Sequence, residues 1–398
     1  MTSKGGHFMK KRFQIFAMFL SVTLLGCACT KTPTNEGEKL NTTVNTTKKE
    51  DPTYQGKLDA LRPAAYGDVE GLNLEPGSHI SIIGRYADDS YWKQVEAGAK
   101  QAVADINDML GYKGEDKIKL TYSAPDERDN VDEQISILDE ELARYPIAIG
   151  IAAIDATACH VQFELAGDNN IPIVTMDSGS NYADIAAHVS TNNIEAAQTA
   201  ANEMANLLEG TGEVAIFVQD SLSTTANQRE KGFVDEINAK YPGITVANIY
   251  HMNDLSTVAK QIAEEKNSLL TDNDKQIDPT TITQKEVIQY IIESNTNLKG
   301  IFATNLDTTQ EVASVLKDMK KTDLHFIGFD GGEKQLKLLS GDVVDGLIVQ
   351  NPYGIGYATV VAAARHVLGL GNEAIVDSGY TWITKSNMND NEVKKFLY

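Results

Sequence analysis

The sequence predicts an α/β protein built from two doubly wound, Rossmann-like lobes. Three observations predict it. Short apolar strands alternate with helices from His79 onward, as βαβ units with parallel sheets require. The alternation runs through two successive series, enough chain for two domains. Polar residues able to bond a ligand recur just after the apolar strands, where open α/β sheets present their binding crevice.

In the first series, His79–Ile83 is a short apolar strand and Tyr91–Leu110 has helical periodicity. Lys117–Ser123 reads as a strand, Asn130–Tyr145 as a helix and Ile147–Ile151 as a buried strand. Ala156–Asn169 is a helix and Ile173–Met176 a strand. The second series opens with a helix that follows Asn192 and runs to Leu208, then strand Val214–Val218, helix Ala226–Tyr241 and strand Ile244–Tyr250. A helix from Leu255 to about Lys266 leads into an irregular insert. Helix Gln284–Ser294, strand Gly300–Ala303, helix Thr309–Met319, strand His325–Phe329, helix Glu333–Ser340 and strand Val344–Val349 complete the series. No solenoid repeat is visible.

Upstream, Lys10, Lys11 and Arg12 form a positive region after Met9, and Phe13–Leu25 is apolar. That stretch has the length of a signal-peptide core and is short for a bilayer span. It closes on Leu24-Leu25-Gly26-Cys27, which resembles the lipobox of bacterial lipoproteins. The resemblance makes residues 1–26 a signal peptide, with Met9 a candidate start, and Cys27 a lipidation site. An N-terminal membrane anchor or a plain secretory signal is the competing reading. Two or more acyl chains would anchor stably, each buried methylene adding about 0.8 kcal/mol. Residues 28 to about 58 are rich in Thr, Asn, Lys and Glu, and residues 59–78 are broken by Pro63, Gly71, Pro76 and Gly77. The lipidated cysteine and flexible tether are therefore placed at residues 27–75.

About 370 of the 398 residues follow the leader, with ordinary composition: 42% hydrophobic and 23% charged. The net charge of −21 argues against nucleic acid and against attraction to anionic lipid. Cys27, Cys29 and Cys159 do not make a disulfide framework. Cys159 lies beside His160, but adjacent helix positions point about 100° apart, so a buried structural cysteine is preferred to a metal ligand. The insert at 264–286 carries Asp272, Asp274, Gln276 and Asp278, a weak calcium-loop pattern. It lacks the central Gly, and its twelfth position is Thr283, so a solvated acidic loop is preferred. There is no G-x-S-x-G elbow, P-loop or G-x-G-x-x-G, and no cofactor is expected.

The residues following the strands are Asp88, Asp89, Tyr91 and Trp92, then Asp177, Asn305, Asp330 and Gln350. Arg229 falls in the first turns of its helix. Each alone reads as a turn former or helix cap; their recurrence at one edge of two sheets argues for a site.

These residues also carry a family resemblance. ISIIGRYADDSYWKQVEAGAKQA, NNIPIVTMDS, HVSTNN, NQREKGF, IFATNLD, FIGFDGG and GLIVQNPYGIGYATV resemble segments of the type I periplasmic sugar-binding proteins. That is the ribose- and galactose-binding group, related to the ligand domain of LacI-type repressors. The resemblance runs from about residue 78 to 395. It implies ligand-binding roles for Asp89, Tyr91, Trp92, Asp177, Asn192, Arg229, Asn305, Asp330 and Gln350. Carboxylates, amides and Arg suit vicinal hydroxyls, and the flat faces of Tyr91 and Trp92 suit a sugar ring. It further implies a three-segment hinge near Ser190–Asn192, Gln350–Pro352 and Gly379–Thr381. The N-terminal lobe is then 76–191 with 351–379, and the C-terminal lobe 192–350 with 380–398.

Two departures bear on the ligand. Ser178 stands where ribose-type members often carry Arg, and Asp88 and Asp89 where Asn is common. Asp89, Asp177 and Asp330, with Asp88 nearby, would then face Arg229 alone. Sugar acids and sugar phosphates would meet repulsion, so a neutral polyhydroxylated ligand is expected, or a cationic one such as an amino sugar. The expected function is that of a monomeric, non-enzymatic solute-binding lipoprotein. It would lie outside the cytoplasm, anchored to the bacterial cell membrane through Cys27, and deliver a monosaccharide or polyol to an ABC permease. The alternative is a subunit that presents its sugar to a membrane histidine kinase or chemoreceptor.

Overall fold

A computed structural model describes residues 54–271 and 275–398. The signal segment, Cys27, the tether up to residue 53, Asp272 and Asp274 lie outside the described residues. In the first lobe the chain runs α1 (Gln55–Leu58), β1 (His79–Ile83), α2 (Ser90–Leu110), β2 (Lys119–Ser123), α3 (Val131–Leu142), β3 (Ala148–Ile151), α4 (His160–Asp168), β4 (Ile173–Met176) and β5 (Ala187–Ser190). The second lobe follows with α5 (Asn193–Leu207), β6 (Gly212–Val218), α6 (Thr224–Lys240), β7 (Ile244–His251), α7 (Leu255–Ser268), α8 (Gln284–Ser294), β8 (Leu298–Ala303), α9 (Leu306–Met319), β9 (His325–Phe329), α10 (Glu333–Ser340) and β10 (Gly346–Gln350). The chain then returns through α11 (Pro352–Val367) and β11 (Ile375–Asp377) before β12 (Tyr380–Ile383) and α12 (Asn391–Lys394).

The strands sort into two sheets, ordered β11-β5-β4-β3-β1-β2 and β12-β10-β9-β8-β6-β7. Every pairing is parallel except that of β12 with β10. In each, the lobe's first strand lies between its second and third, so the order reverses there, and a ligand crevice is expected beyond the C-terminal strand ends. Helices cover both faces, which is why central strands such as IVTM and GLIVQ are buried at every position rather than alternating.

Three crossings join the lobes, between β5 and α5, between β10 and α11, and between β11 and β12. They are tied side by side: Ser378 N–H donates to Ser190 O, Asn351 Nδ2 to Ser378 O, and Thr191 Oγ1 to Gln350 Oε1. The helix after the second crossing, α11, extends beyond the alternation read from the sequence, which stops at Val349. Its Pro and Gly content hides it. Pro352 occupies the first helical turn, where a missing N–H costs nothing, and Asn351 caps it. Gly356 lets α11 lie against α2: a Cβ there would meet Val95 O at 1.9 Å.

One boundary differs from the sequence reading. Residues 54–75, assigned to the tether, pack onto the first lobe. Leu58, Leu61, Tyr66, Leu72 and Leu74 are buried in its core, and Arg62 pairs with Asp377 in an antiparallel bridge. Widely spaced apolar residues in a segment rich in turn formers gave no periodicity to read.

Candidate functional site

The cleft between the lobes is built at matching positions of the two sheets. Asp177 follows β4 and Asp330 follows β9. Both have left-handed backbones, with φ of 52° and 75°. Each donates its N–H to the neighbouring strand, Asp177 to Val189 O at 2.8 Å and Asp330 to Ile348 O at 2.7 Å. Asp tolerates this conformation better than most residues, and such backbone turns are concentrated at ligand sites. The turn aims one carboxylate from each lobe into the cleft, and both line the same cavity.

Around them lies a buried polar network. Arg229, on α6, donates from Nε to Asn193 Oδ1, from Nη1 to Thr304 O and from Nη2 to Gln350 Oε1, at 2.7–2.8 Å. Its guanidinium lies 4.0 Å from the centre of the Phe329 ring. Three of its five N–H donors are thus engaged by the described residues, which leaves two for a ligand. Gln350 Nε2 donates to Asp330 Oδ1 at 2.8 Å. Tyr91 donates to Asp177 Oδ1, and its ring meets Trp92 edge-on at 5.2 Å. Burial pushes the Tyr91 hydroxyl well above its ordinary range, with the charges of Asp177 and Asp330 adding, so it stays a proton donor. Burial also lifts Asp330 to about 6, against the opposing pull of Arg229.

Asp89 and Asn305 are helix caps and cavity residues at once. Asp89 Oδ1 accepts from Trp92 N–H at the start of α2, and its Oδ2 faces Arg128 at 3.3 Å. Asn305 Oδ1 accepts from Thr308 N–H at the start of α9, which leaves its Nδ2 as a donor. Burial raises the Asp89 carboxyl, with the Trp92 N–H and Arg128 working against it.

At the mouth the lobes meet through charge. Arg128, from the first lobe, reaches Asp307 of the second at 2.5 Å and stacks on Tyr86 at 4.1 Å. Arg85 pairs with Asp129 at 2.7 Å and crosses to Asp220 at 3.3 Å. Burial opposes the Arg85 charge, but Asp129 and Asp220 outweigh it and hold the guanidinium above its usual range. Burial lifts Asp307 to about 6, against Arg128.

Eight of the nine residues expected to bind ligand line this one cavity: Asp89, Tyr91, Trp92, Asp177, Arg229, Asn305, Asp330 and Gln350. Asn192 does not. It is exposed and caps α5 by accepting from Glu195 N–H. Its neighbour Asn193 is the buried partner of Arg229. Asp88 is turned to solvent and pairs with Lys93 at 2.6 Å. Arg229 is not the lone cation, because Arg85 and Arg128 also line the cavity. Arg85 Nη1 donates to Ser178 Oγ at 3.1 Å, so a guanidinium stands beside that serine after all. Asp129 and Asp307 join as well, making five carboxylates (Asp89, Asp129, Asp177, Asp307, Asp330) against three guanidiniums. Elsewhere, Cys159 is buried and unpaired by disulfide, and Asp278 spends one oxygen on Thr280 in a short turn. Gln276 is exposed.

Residues 80–371 match the family described as the periplasmic binding protein domain. The chain belongs to that family. Among curated proteins, it is 24% identical over 290 residues to the D-apiose import binding protein of Actinobacillus succinogenes, covering 72% of this chain and 81% of that one. It is 24% identical over 283 residues to the xylitol-binding protein of Mycolicibacterium smegmatis, covering 70% and 72%. Among solved structures, it is similar to a carbohydrate transporter solute binding protein from Agrobacterium radiobacter in complex with D-arabinose. That match has a TM-score of 0.66 and 27% identity, over 81% of this chain and 99% of that one. A solute binding protein from Agrobacterium vitis with bound D-fucose, at 22% identity and TM-score 0.66, shares the fold over 81% of this chain and 100% of its own.

Proposed function

We propose that the protein is the solute-binding component of an ABC importer and that its cleft takes one neutral monosaccharide or polyol. The observation that carries this reading is the floor of the cleft. Asp177 and Asp330 from opposite lobes, Arg229 with two uncommitted N–H donors, and Asn305 Nδ2 converge on one cavity. Vicinal hydroxyls donate to carboxylates and accept from guanidinium, so a polyol satisfies both sets. Five carboxylates against three guanidiniums leave an excess of negative charge that opposes sugar acids and phosphates. Tyr91 and Trp92 supply the apolar surface that the C–H face of a sugar needs.

The importer role rests on the relatives, which include import binding proteins for apiose and ribose. A lipid on Cys27 would hold the domain beside its permease and raise its local concentration there. The protein acts outside the cytoplasm as a monomer in this reading. Calorimetric titration of the full chain with D-arabinose, D-ribose, D-fucose and xylitol tests the ligand class, with Arg229→Ala as the non-binding control. Binding of sugar acids alone would overturn it. Mass spectrometry of the N-terminal peptide from the membrane fraction tests the anchor. Acylated Cys27 is expected, and an intact unmodified leader contradicts it.

A further inference from the structure

We propose that Tyr398 is a positioning residue of this cleft, which orients the Asp330 carboxylate and braces the second lobe against Tyr91 of the first. Three observations place it there. Its hydroxyl donates to Asp330 Oδ1 at 3.1 Å. Its ring meets Tyr91 edge-on, with centroids 6.0 Å apart and planes at 74°. Its N–H donates to Gly331 O at 3.3 Å, beside Asp330. The segment leading to it is docked on the second lobe, with Val393 buried in that core and Phe396 and Leu397 packed against it. Tyr398 alone in this segment touches the cores of both lobes.

The arrangement does two things. Gln350 Nε2 and the Tyr398 hydroxyl both bond Oδ1 of Asp330, which fixes the carboxylate plane and leaves Oδ2 for a ligand hydroxyl. The Tyr91 contact crosses between lobes, so it belongs to the closed arrangement and is lost on opening, whereas the bond to Asp330 stays within the second lobe. The charged and titratable groups that interact with Asp330 include Arg229, Asp177, Tyr91, Asp307 and Tyr398 itself. No sequence motif surrounds Tyr398, and it follows no strand.

The effect on ligand rests on the sugar-cleft reading; the grip on Asp330 does not. Two measurements on the full chain separate them. The first is carboxyl carbon NMR of ligand-free protein, with Asp330→Asn to assign the signal. Tyr398→Phe removes a donor to the charged form, so the Asp330 midpoint should move up. An identical midpoint in wild type and Tyr398→Phe overturns the proposal. The second is calorimetric titration with D-arabinose, D-ribose, D-fucose and xylitol. Tyr398→Phe should weaken the sugar that wild type binds by about tenfold. Tyr398→Leu should weaken it further, and Tyr398→Phe should add nothing in an Asp330→Asn background. Full affinity in both Tyr398 variants also overturns the proposal. If wild type binds none of the four, the sugar reading fails and the NMR midpoint alone decides the role of Tyr398.

Discussion

The floor and the mouth of the cleft are both charged, yet they are built differently. At the floor, Arg229, Asp330 and Gln350 are each about 3% exposed and hydrogen-bonded in a continuous network. At the mouth, beside the buried Arg85–Asp220 pair, Arg128 and Asp307 are 39% and 35% exposed and form a second ion pair between lobes. A buried group left without its partner is expensive, whereas a half-exposed pair adds little because water and salt screen it. On the proposed reading, the floor would select the ligand and the mouth would adjust how firmly the lobes stay shut.

The largest expected effect comes from breaking the floor. Arg229→Ala leaves Gln350 Oε1, Asn193 and the Thr304 carbonyl short of a donor and Asp330 without its cation. Sugar affinity should fall by about 100-fold or more, with a loss of stability of about 2–4 kcal/mol. Calorimetry and thermal unfolding measure the two; wild-type affinity would erase the distinction between the regions.

Acid acts next, with opposite signs on folding and binding. Burial lifts Asp330 and Asp307 to about 6, above the unfolded carboxylate value, so the folded chain binds more protons between about pH 4 and 6. Their contribution to ligand-free stability is fully present below that window and is lost as the pH rises through about 6. Sugar binding should weaken as the pH falls through 6, because with Oδ1 already accepting from Gln350 and Tyr398 a proton on Asp330 would sit on Oδ2 and turn that acceptor into a donor. Titrations at pH 7.5 and pH 5 should differ severalfold in affinity, and equal affinities would contradict an ionised acceptor at the floor.

Arg128→Ala sharpens the comparison at the mouth. Its pair with Asp307 is half-exposed, so affinity should fall only about two- to fivefold, through faster release, and the salt dependence of release should flatten. A loss as large as that of Arg229→Ala would make the mouth part of recognition. The smallest effect belongs to Asp88→Ala. Asp88 is exposed and, among the described residues, pairs with Lys93 on the outside, so stability should change by less than about 0.5 kcal/mol and affinity not at all.

The floor was more legible in the sequence than the mouth. Asp177 and Asp330 stand directly after buried apolar strands and Gln350 ends one, and those positions can be read from periodicity. Arg128 and Asp129 lie in a loop between β2 and α3, where no pattern indicates direction. Arg85 follows Gly84 at the end of β1, but only the fold shows that it crosses to Asp220. Asn192 and Asn193 differ by one position: the first caps α5, while the second opens the helix and turns inward. Helix periodicity cannot resolve such a step at a helix start. The arm at residues 54–75 and helix α11 were hidden for a related reason. Their Pro and Gly residues serve turns and close packing that exist only once the lobes are folded.

The proposed floor accepts neutral hydroxyls and repels acids. The most direct test is a thermal-unfolding screen of the full chain at pH 7.5 against D-arabinose, D-ribose, D-fucose and xylitol, run beside the corresponding sugar acids. Stabilisation grows with the logarithm of ligand concentration over dissociation constant, so even a moderate binder registers. A rise in melting temperature is expected with at least one neutral member and none with the acids. A rise with the acids alone would contradict it.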